Sequence, residues 1–272
     1  MLNHPAIDPI AISLGPLQIH WYGISYLLAF ATAWYLARRN ARRPWSPLGE
    51  NQVEDLIVYG AWGVIAGGRL GYMFFYNTDK WLADPAMLLR IWEGGMSFHG
   101  GLIGVAIAIF IYARKHRVSF LTLTDFAVPL VPTGLFFGRM GNFIGQELYG
   151  RPTDVPWGML FPSDPTQLPR HPSQLYEALL EGLALFLIIS WFARKPRLAG
   201  EITGLFLVLY GCFRFMVEFV REPDAQFAGQ TAMIESLNWM TRGQALCIPM
   251  VLLGLWFMRK TMQRLMVKSA TN

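Results

Sequence analysis

Seven long apolar stretches alternate with short polar segments along this chain. Each approaches the ~20 largely apolar residues that a helix needs to cross the hydrocarbon core of a bilayer. The predicted spans are Leu17–Ala37, Val53–Tyr76, Ser97–Ala113, Phe120–Phe137, Gln174–Ala193, Ile202–Phe219 and Ala245–Met258. Pro129 and Pro132 predict an irregular fourth span, because proline removes a backbone donor. The pattern predicts an all-α membrane protein with seven transmembrane helices. Because the sequence has no internal repeat, residues 1–272 are predicted to form a single polytopic domain.

The composition supports the same class. The chain is 53% hydrophobic and 15% charged, whereas a soluble domain carries about 25% charged residues. The sequence pI of about 9.3 does not indicate nucleic-acid binding, because the basic residues form no single face or stripe. Cys212 and Cys247 both lie in apolar runs and are predicted to be packing residues rather than a disulfide or a metal site.

Basic residues mark one side of the predicted membrane. Four groups follow the odd-numbered spans: Arg38, Arg39, Arg42 and Arg43; Arg114, Lys115 and Arg117; Arg194, Lys195 and Arg197; and Arg259, Lys260, Arg264 and Lys268. Lys and Arg favour the cytoplasmic side, so the N-terminus is predicted outside and the C-terminus in the cytoplasm. This orientation leaves residues 139–172, rich in Pro, Gly and Asp, on the outer face, where we expect a small extracytoplasmic cap of short strands or turns.

Polar side chains gather at the outer ends of several spans. They are His99 at the start of the third span, Arg139 and Asn142 at the end of the fourth, and Tyr210, Arg214, Glu218 and Arg221 along the sixth. The last four are spaced by four, four and three residues, which puts them on one helix face. Arginine is costly at membrane depth, and its planar fork suits a phosphate. We therefore predict a phospholipid headgroup site near the outer leaflet.

Several of these residues also have a structural interpretation. Arg214 and Glu218 suit an ion pair that neutralises itself. A single histidine such as His99 is more often structural than catalytic. Arg69, among small residues, suits a helix–helix contact. Convergence of His99, the two arginines and a carboxylate on one leaflet favours function.

Four segments resemble one known family, the prolipoprotein diacylglyceryl transferases. They are His99–Gly101, Gly138–Ile144 continuing to Glu147, Gly150 and Arg151, His171–Glu177, and Tyr210–Phe219 continuing to Asp224. The resemblance runs from about residue 7 to residue 260 in the family's order and spacing. One position departs: where the family usually has Gly-Asn-Phe-Ile-Asn-Gly-Glu, the second asparagine is replaced by Gly145, and Gln146 follows. Gln146 is then the candidate to replace that amide.

The resemblance implies a multi-pass enzyme of the bacterial plasma (inner) membrane with its active site near the outer leaflet. Such an enzyme moves the diacylglyceryl group of phosphatidylglycerol onto the lipobox cysteine thiol of a preprolipoprotein signal peptide. The products are a thioether and glycerol 1-phosphate. The family uses no metal and no cofactor, and the sequence has no HExxH, CxxC or nucleotide-binding glycine loop.

The chemistry of that reaction suggests roles for particular residues. A thiol with a pKa near 8.5 benefits from a base, and His99 is the predicted general base because flanking glycines leave room for a substrate. Arg139 and Arg214 are predicted to bind the phosphate, Glu218 to orient Arg214, and Tyr210 to donate a hydrogen bond. The resemblance adds Tyr26, Asn142, Glu147 and Gly150, which are predicted to place the headgroup and shape the loop. Arg221, which follows the sixth span, is also predicted to bind substrate.

Tyr22 and Tyr26, one turn apart in the first span, suit either this site or the membrane interface. Two other functions also fit an arginine pair in a membrane protein. One is an anion transporter, which typically shows repeats and broken helices near the midplane, and the other is a lipid-binding scaffold without chemistry. The sequence has no repeat and its polar residues gather at one face, which disfavours the transporter.

Overall fold

A computed structural model describes residues 1–15, 17–90, 94–222 and 240–270, with the backbone alone described from 261 onward. The chain is mostly helical. The strands are β1 (Leu2–Asn3), β2 (Ile10–Leu14), β3 (Leu17–His20) and β4 (Met159–Leu160). The α-helices are α1 (Trp21–Ala41), α2 (Glu50–Tyr76), α3 (Thr78–Ala83), α4 (Phe98–Lys115), α5 (Phe120–Ala127), α6 (Val131–Ile144), α7 (Ser173–Glu177), α8 (Leu185–Phe192), α9 (Glu201–Val217) and α10 (Arg242–Ala270).

Three helical runs within the described residues are long and apolar enough to cross a membrane. They are Phe98–Lys115, Phe120–Ile144 and Ser173–Phe192. The other four predicted spans fall largely on α1, α2, α9 and α10, and their crossing of the membrane, like the orientation of the termini, stays a prediction.

The predicted start of the first span was wrong by four residues. Leu17–His20 forms β3, which pairs antiparallel with β2, and α1 begins at Trp21. Apolar and polar residues alternate from Leu17 to His20, which is the period of a strand. Gly15, at φ +62°, lies between the two strands in a conformation that glycine adopts without strain.

The irregularity predicted at the two prolines is present. A short 3₁₀ turn, Val128–Leu130, separates α5 from α6 and contains Pro129. Pro132 lies in the first turn of α6, where its missing N–H has no intrahelical partner to lose. A π-helix, Ala178–Ala184, similarly joins α7 to α8.

The chain folds as two compact units. The smaller unit is Ala37–Phe126, and the larger unit comprises Met1–Leu36 and Ala127–Asn272. The prediction of one polytopic domain with an extracytoplasmic cap therefore stays a prediction.

In the smaller unit, α2 and α4 pack backbone to backbone. A Cβ added at Gly63 would lie 2.7 Å from the carbonyl oxygen of Gly104, and one at Gly71 would lie 2.7 Å from the α-carbon of Gly100. Glycine is the residue that permits such an approach, as it does between transmembrane helices. This packing holds the first turn of α4 close to the second half of α2.

In the larger unit, α6 packs on α7 and the π-helix, and α9 packs on α8 and α10. Leu185, Ile189 and Ile202 form a buried apolar cluster between α8 and α9. Gly182 lies against α6, since a Cβ there would come within 2.7 Å of the Phe136 side chain. These contacts bring the polar faces of α6, α7 and α9 together.

Residues 145–172 follow α6 as turns and one short strand. β4 in this region pairs parallel with β1, so the N-terminal segment packs on it. Phe143, Met159 and Phe161 form a small buried cluster beside this pair. The six residues before Gly145, which the cap prediction included, belong to α6.

Candidate functional site

The side chain of Glu177, in α7, is the centre of a charged cluster. It is 1% exposed and forms ion pairs with three arginines. Arg139 of α6 contacts its Oε2 through Nε. Arg214 Nη1 and Arg221 Nε both lie 3.4 Å from its Oε1. Three predicted site residues, distant in sequence, therefore meet at one buried carboxylate.

Two further carboxylates surround Arg214. Its Nη2 lies 2.7 Å from Glu218 Oε2, four residues later on the same helix, so the predicted contact is present. Its Nη1 lies 3.9 Å from Oε1 of Glu181, which is fully buried. Glu218 Oε1 also accepts a hydrogen bond of 2.9 Å from Thr241 Oγ1. Three arginines, Arg139, Arg214 and Arg221, thus lie among three carboxylates, and this opposite charge offsets part of the cost of burying them.

A chain of polar contacts leads from this cluster to a more exposed carboxylate. Arg139 Nη1 donates to Asn142 Oδ1 at 3.4 Å, and Asn142 Nδ2 donates to Glu147 Oε2 at 3.4 Å. Gln174 Nε2 donates to the backbone carbonyl of Glu147 at 2.7 Å. The α6 terminus and the start of α7 are therefore joined through Asn142 and Glu147, which the sequence assigned to the site, and through Gln174, which it did not.

Tyr22, which the sequence assigned to either the site or the membrane interface, lies beside the end of α6. Its hydroxyl is 3.2 Å from that of Tyr26, and a Cβ added at Gly141 would come within 3.2 Å of its ring. Tyr22 also interacts electrostatically with Glu147 and Arg139. The pair of tyrosines thus faces the α6 end of the site, and Tyr26 is bonded to Tyr22.

Gly150 permits a close crossing of three backbone segments. Its N–H donates to the His171 carbonyl at 2.8 Å, and the next N–H, of Arg151, donates to the Val220 carbonyl at 2.9 Å. A Cβ at Gly150 would clash with the Val220 carbonyl and lie 2.8 Å from His171 Cβ. Gly150 also forms a backbone bridge with Arg221, so it helps to place that arginine at Glu177.

Arg170 forms a buried ion pair within residues 145–172 and a second, more exposed one with the segment after α9. Arg170 Nε lies 2.7 Å from Asp164 Oδ2, and its Nη1 lies 3.1 Å from Glu222 Oε2. Burial acts to raise the pKa of Asp164, but hydrogen bonds from Arg170 and Thr166 outweigh it and hold that pKa below its ordinary value. Glu222 follows Arg221 directly, so this pair supports the rim of the cluster.

Tyr210 lies between the apolar and charged parts of α9. Its ring stacks on Phe206 at 5.7 Å and packs against the apolar cluster of α8 and α9. It lies one turn before Arg214 and interacts electrostatically with Glu181 and Arg214. Tyr210 therefore lies beside the charged part of the site, and its role as a hydrogen-bond donor stays a prediction.

His99 belongs to the smaller unit, whereas the other predicted site residues belong to the larger unit. It lies in the first turn of α4 and is exposed. Its ring contacts that of Phe98, with centroids 5.7 Å apart. Its role as general base stays a prediction.

Two residues of the cluster were missed as site residues. Glu177 appeared only as the last letter of a motif, and Glu181 was not considered. The signal was present in the sequence, because two carboxylates four residues apart in an apolar span share a face and are costly in a membrane. Neither carboxyl oxygen of Glu181 has a hydrogen-bond donor within the described part of the chain.

Gln146 does not reach the charged cluster as a replacement amide. Its Oε1 accepts from the Ser163 N–H at 3.0 Å, and its backbone carbonyl accepts from Ser163 Oγ at 2.9 Å. Gln146 has a φ of +56° directly after Gly145, which ends α6. The structure thus favours a role in folding the loop.

The arrangement presents two guanidinium groups around a buried counter-charge. The side chains of Arg139 and Arg214 are 20% and 15% exposed, so each retains an accessible edge. Guanidinium groups held in place before a ligand arrives stabilise an anion without reorganisation, and their planar donors match phosphate oxygens.

Comparison with known proteins gives one consistent family. The family model for prolipoprotein diacylglyceryl transferase matches residues 9–260. A protein of Methylococcus capsulatus is 56% identical over 258 residues, which cover 94% of this chain and 95% of that protein. Proteins of Nitratidesulfovibrio vulgaris and Ectopseudomonas mendocina are each 52% identical, covering 95% and 99% of this chain and 95% and 100% of their own lengths. All three are named phosphatidylglycerol–prolipoprotein diacylglyceryl transferase.

Proposed function

This chain belongs to the prolipoprotein diacylglyceryl transferase family, a family of membrane enzymes, and we propose that it transfers the diacylglyceryl group of phosphatidylglycerol to the lipobox cysteine of preprolipoproteins. The thioether-linked lipid and glycerol 1-phosphate are the products. The reaction is the first step of bacterial lipoprotein maturation.

One observation carries this proposal from the structure: Arg139 and Arg214, from different helices, share the buried carboxylate of Glu177. The oxygens of a phosphodiester accept hydrogen bonds, and the planar donors of paired guanidinium groups match them. Arginine within apolar helices is retained mainly for function. The pair therefore supports a phosphate site.

The proposed chemistry is a displacement at carbon. The cysteine sulfur forms a bond to the lipid glycerol carbon that carries the phosphate oxygen, and the carbon–oxygen bond breaks. The electron pair leaves with glycerol phosphate, and the thiol proton passes to His99 as general base. Arg139 and Arg214 neutralise the charge that grows on the phosphate. One such donor contributes about 3–4 kcal/mol in comparable sites.

The remaining residues have supporting roles in this proposal. Tyr210 donates a hydrogen bond to the phosphate, and Glu218 orients Arg214 from one turn away. Five further residues bind or shape the lipid headgroup site: Tyr26, Asn142, Glu147, Gly150 and Arg221.

The proposed setting is the bacterial inner membrane. Seven spans with the N-terminus outside put the charged cluster near the outer leaflet, where residues 145–172 form an extracytoplasmic cap. The basic loops, which this orientation places on the cytoplasmic side, support it.

The test uses purified protein in lipid with phosphatidylglycerol and a lipobox peptide, and follows the mass of the peptide. We expect a gain of one diacylglyceryl unit and release of glycerol 1-phosphate. Arg139→Lys and Arg214→Lys should lower kcat by about 10²–10³-fold, because a lysine lacks the planar fork. Arg197→Lys, at an exposed arginine that donates to the Phe192 carbonyl, is the matched control and should retain activity. Folded protein that leaves the peptide mass unchanged would contradict the proposal.

A further inference from the structure

Arg69 of α2 is a buried cation whose donor groups are all bonded to backbone carbonyls of the 3₁₀ helix Pro85–Leu89 and of residues that follow it. It is 3% exposed. Nε donates to the Leu88 carbonyl at 3.2 Å, while Nη1 and Nη2 each donate to two more carbonyls. The five acceptors are the carbonyls of Met87, Leu88, Arg90, Gly94 and Gly95. The sequence suggested only a helix–helix contact for this arginine.

Carbonyl dipoles take the place of a counter-ion at Arg69. These five acceptors, within the part of the chain that the structure describes, are all backbone carbonyls. A guanidinium has five N–H donors in a fixed plane, and an unpaired cation in an apolar helix is costly. The acceptors within Met87–Arg90 and Gly94–Gly95 therefore share Arg69 as a common partner, and Arg69 depends on them for its burial.

The two glycines of the loop are shaped for this contact. Gly94 and Gly95 have φ values of +78° and +84°, which other residues adopt only with strain. A Cβ at Gly95 would also collide with the ring of Tyr72, one turn after Arg69. Glycine therefore adopts without strain the backbone conformation that points both carbonyls toward Nη1.

The same turn of α2 also holds the start of α4. The Gly68 carbonyl accepts from the Ser97 N–H at 2.9 Å. Ser97 Oγ in turn accepts from the Gly100 N–H at 3.2 Å as the N-cap of α4. His99 lies between these two bonded residues. Its backbone position is therefore determined by α2 directly and by the loop that Arg69 binds.

We propose that Arg69 is a positioning residue that holds Met87–Arg90 and Gly94–Gly95 and, through the two glycines, the turn of α4 that carries His99. The anchoring of the loop is independent of the enzyme's activity, whereas the consequence for catalysis rests on the proposed function of His99.

Lysine cannot reproduce this arrangement. Its ammonium is a compact point charge with three donors, and it lacks the planar fork that reaches carbonyls on both sides. Arg69→Lys preserves the charge and the aliphatic stem, so it removes the anchoring with little change in packing. Arg114→Lys, at the other end of α4 where Arg114 lies over Phe110, is the matched control.

The first measurement is amide hydrogen exchange of the full-length protein in lipid. Arg69→Lys should raise exchange in residues 87–90 and 94–97 by at least ~10-fold, because those backbone groups lose their anchor. The central turns of α2 and α4 should keep the protection of the parent protein. Unchanged exchange in residues 87–90 and 94–97 would overturn the anchoring.

The second measurement is the peptide-mass assay on Arg69→Lys, His99→Gln and the double variant. Arg69→Lys should lower kcat by ~100-fold, as a displacement of about 1 Å does, with KM for the lipid nearly unchanged. In the His99→Gln background the same change should cost no further activity, since both act on one group. A full additional loss in the double variant, or full activity despite a loosened loop, would overturn the link to His99. An inactive parent protein, or a fully active His99→Gln, would instead contradict the proposed function.

Discussion

Glu177 determines how the arginines of the site are arranged. Arg139, Arg214 and Arg221 all contact its carboxyl group, although the three lie on α6, on α9 and after α9. Breaking a buried ion pair from one side leaves uncompensated charge, whereas the intact pair is close to neutral in energy. The carboxylate therefore places the guanidinium groups, and its removal alone leaves their charges buried without a counter-ion.

Glu177→Gln tests this dependence. The amide keeps the volume but removes the charge that three arginines share, so we expect at least a ~100-fold loss in kcat and a decrease of about 3–5 kcal/mol in the free energy of unfolding. Activity would be measured by peptide mass and stability by denaturant titration in detergent. Glu201→Gln, in the first turn of α9, is the control. A Glu177→Gln variant as active as that control would contradict the arrangement.

Gly150→Ala tests the crossing of three backbone segments. The added Cβ would meet the Val220 carbonyl and His171, so the backbone must shift at a cost of about 1–3 kcal/mol, and Arg221 shifts with it. We expect a lower Tm and a higher KM for phosphatidylglycerol. Gly138→Ala is the matched control, because a Cβ there meets nothing within 4 Å and alanine favours a helix. Equal behaviour of the two variants would remove the packing explanation for Gly150.

At the scale of elements, the N-terminal segment packs against the region after α6 through one histidine. His4 is 4% exposed, and its Nε2 lies 2.9 Å from the Phe143 carbonyl. Its Nδ1 accepts from the Ala6 N–H at 3.1 Å, so the ring is neutral and Nε2 donates. β1 and β4 pair next to it. Because Phe143 follows Asn142, this packing supports one edge of the candidate site.

The packing of His4 should weaken as the pH falls. Desolvation by burial lowers the pKa of His4 below 6.5, and its bond to Phe143 offsets only part of that effect. The unfolded segment therefore binds a proton first, and the stability that His4 contributes is present above about pH 6.5 and is lost as the pH falls below it. The protection of the backbone amides of residues 2–6 against hydrogen exchange, relative to the unfolded chain at the same pH, should be lower at pH 5.5 than at pH 7.5. His4→Gln should have no such pH dependence, and a parent protein without it would contradict the prediction.

At the scale of the whole molecule, the helix positions were the most predictable feature. Seven apolar stretches fall on helices because an ~18–20-residue apolar run in a membrane protein has few other ways to satisfy its backbone. The start of α1 was misplaced because Leu17–His20 is apolar enough to extend a span but alternates as a strand does. A window that averages hydropathy does not detect that alternation.

The candidate site was predictable only in part. The spacing of Arg214 and Glu218 on one face predicted their contact, since it depends on a single helix. The meeting of Arg139 and Arg214 at Glu177 depends on how three helices pack, and no local pattern encodes that. The partners of Arg69 were not predictable for the same reason. They are backbone carbonyls 18–26 residues away, and because every residue has a carbonyl, the residue types do not mark them.

The predicted topology can be tested across one span, Gln174–Ala193. In a background without Cys212 and Cys247, Leu168→Cys and Lys195→Cys each introduce one exposed thiol at opposite ends of that helix. If the basic loops face the cytoplasm, a membrane-impermeant maleimide should label Leu168→Cys in cells whose outer membrane alone is opened. Lys195→Cys should be labelled only after the inner membrane is disrupted. The reverse pattern would invert the orientation, and labelling of both sites in cells with an intact inner membrane would show that the helix does not cross it.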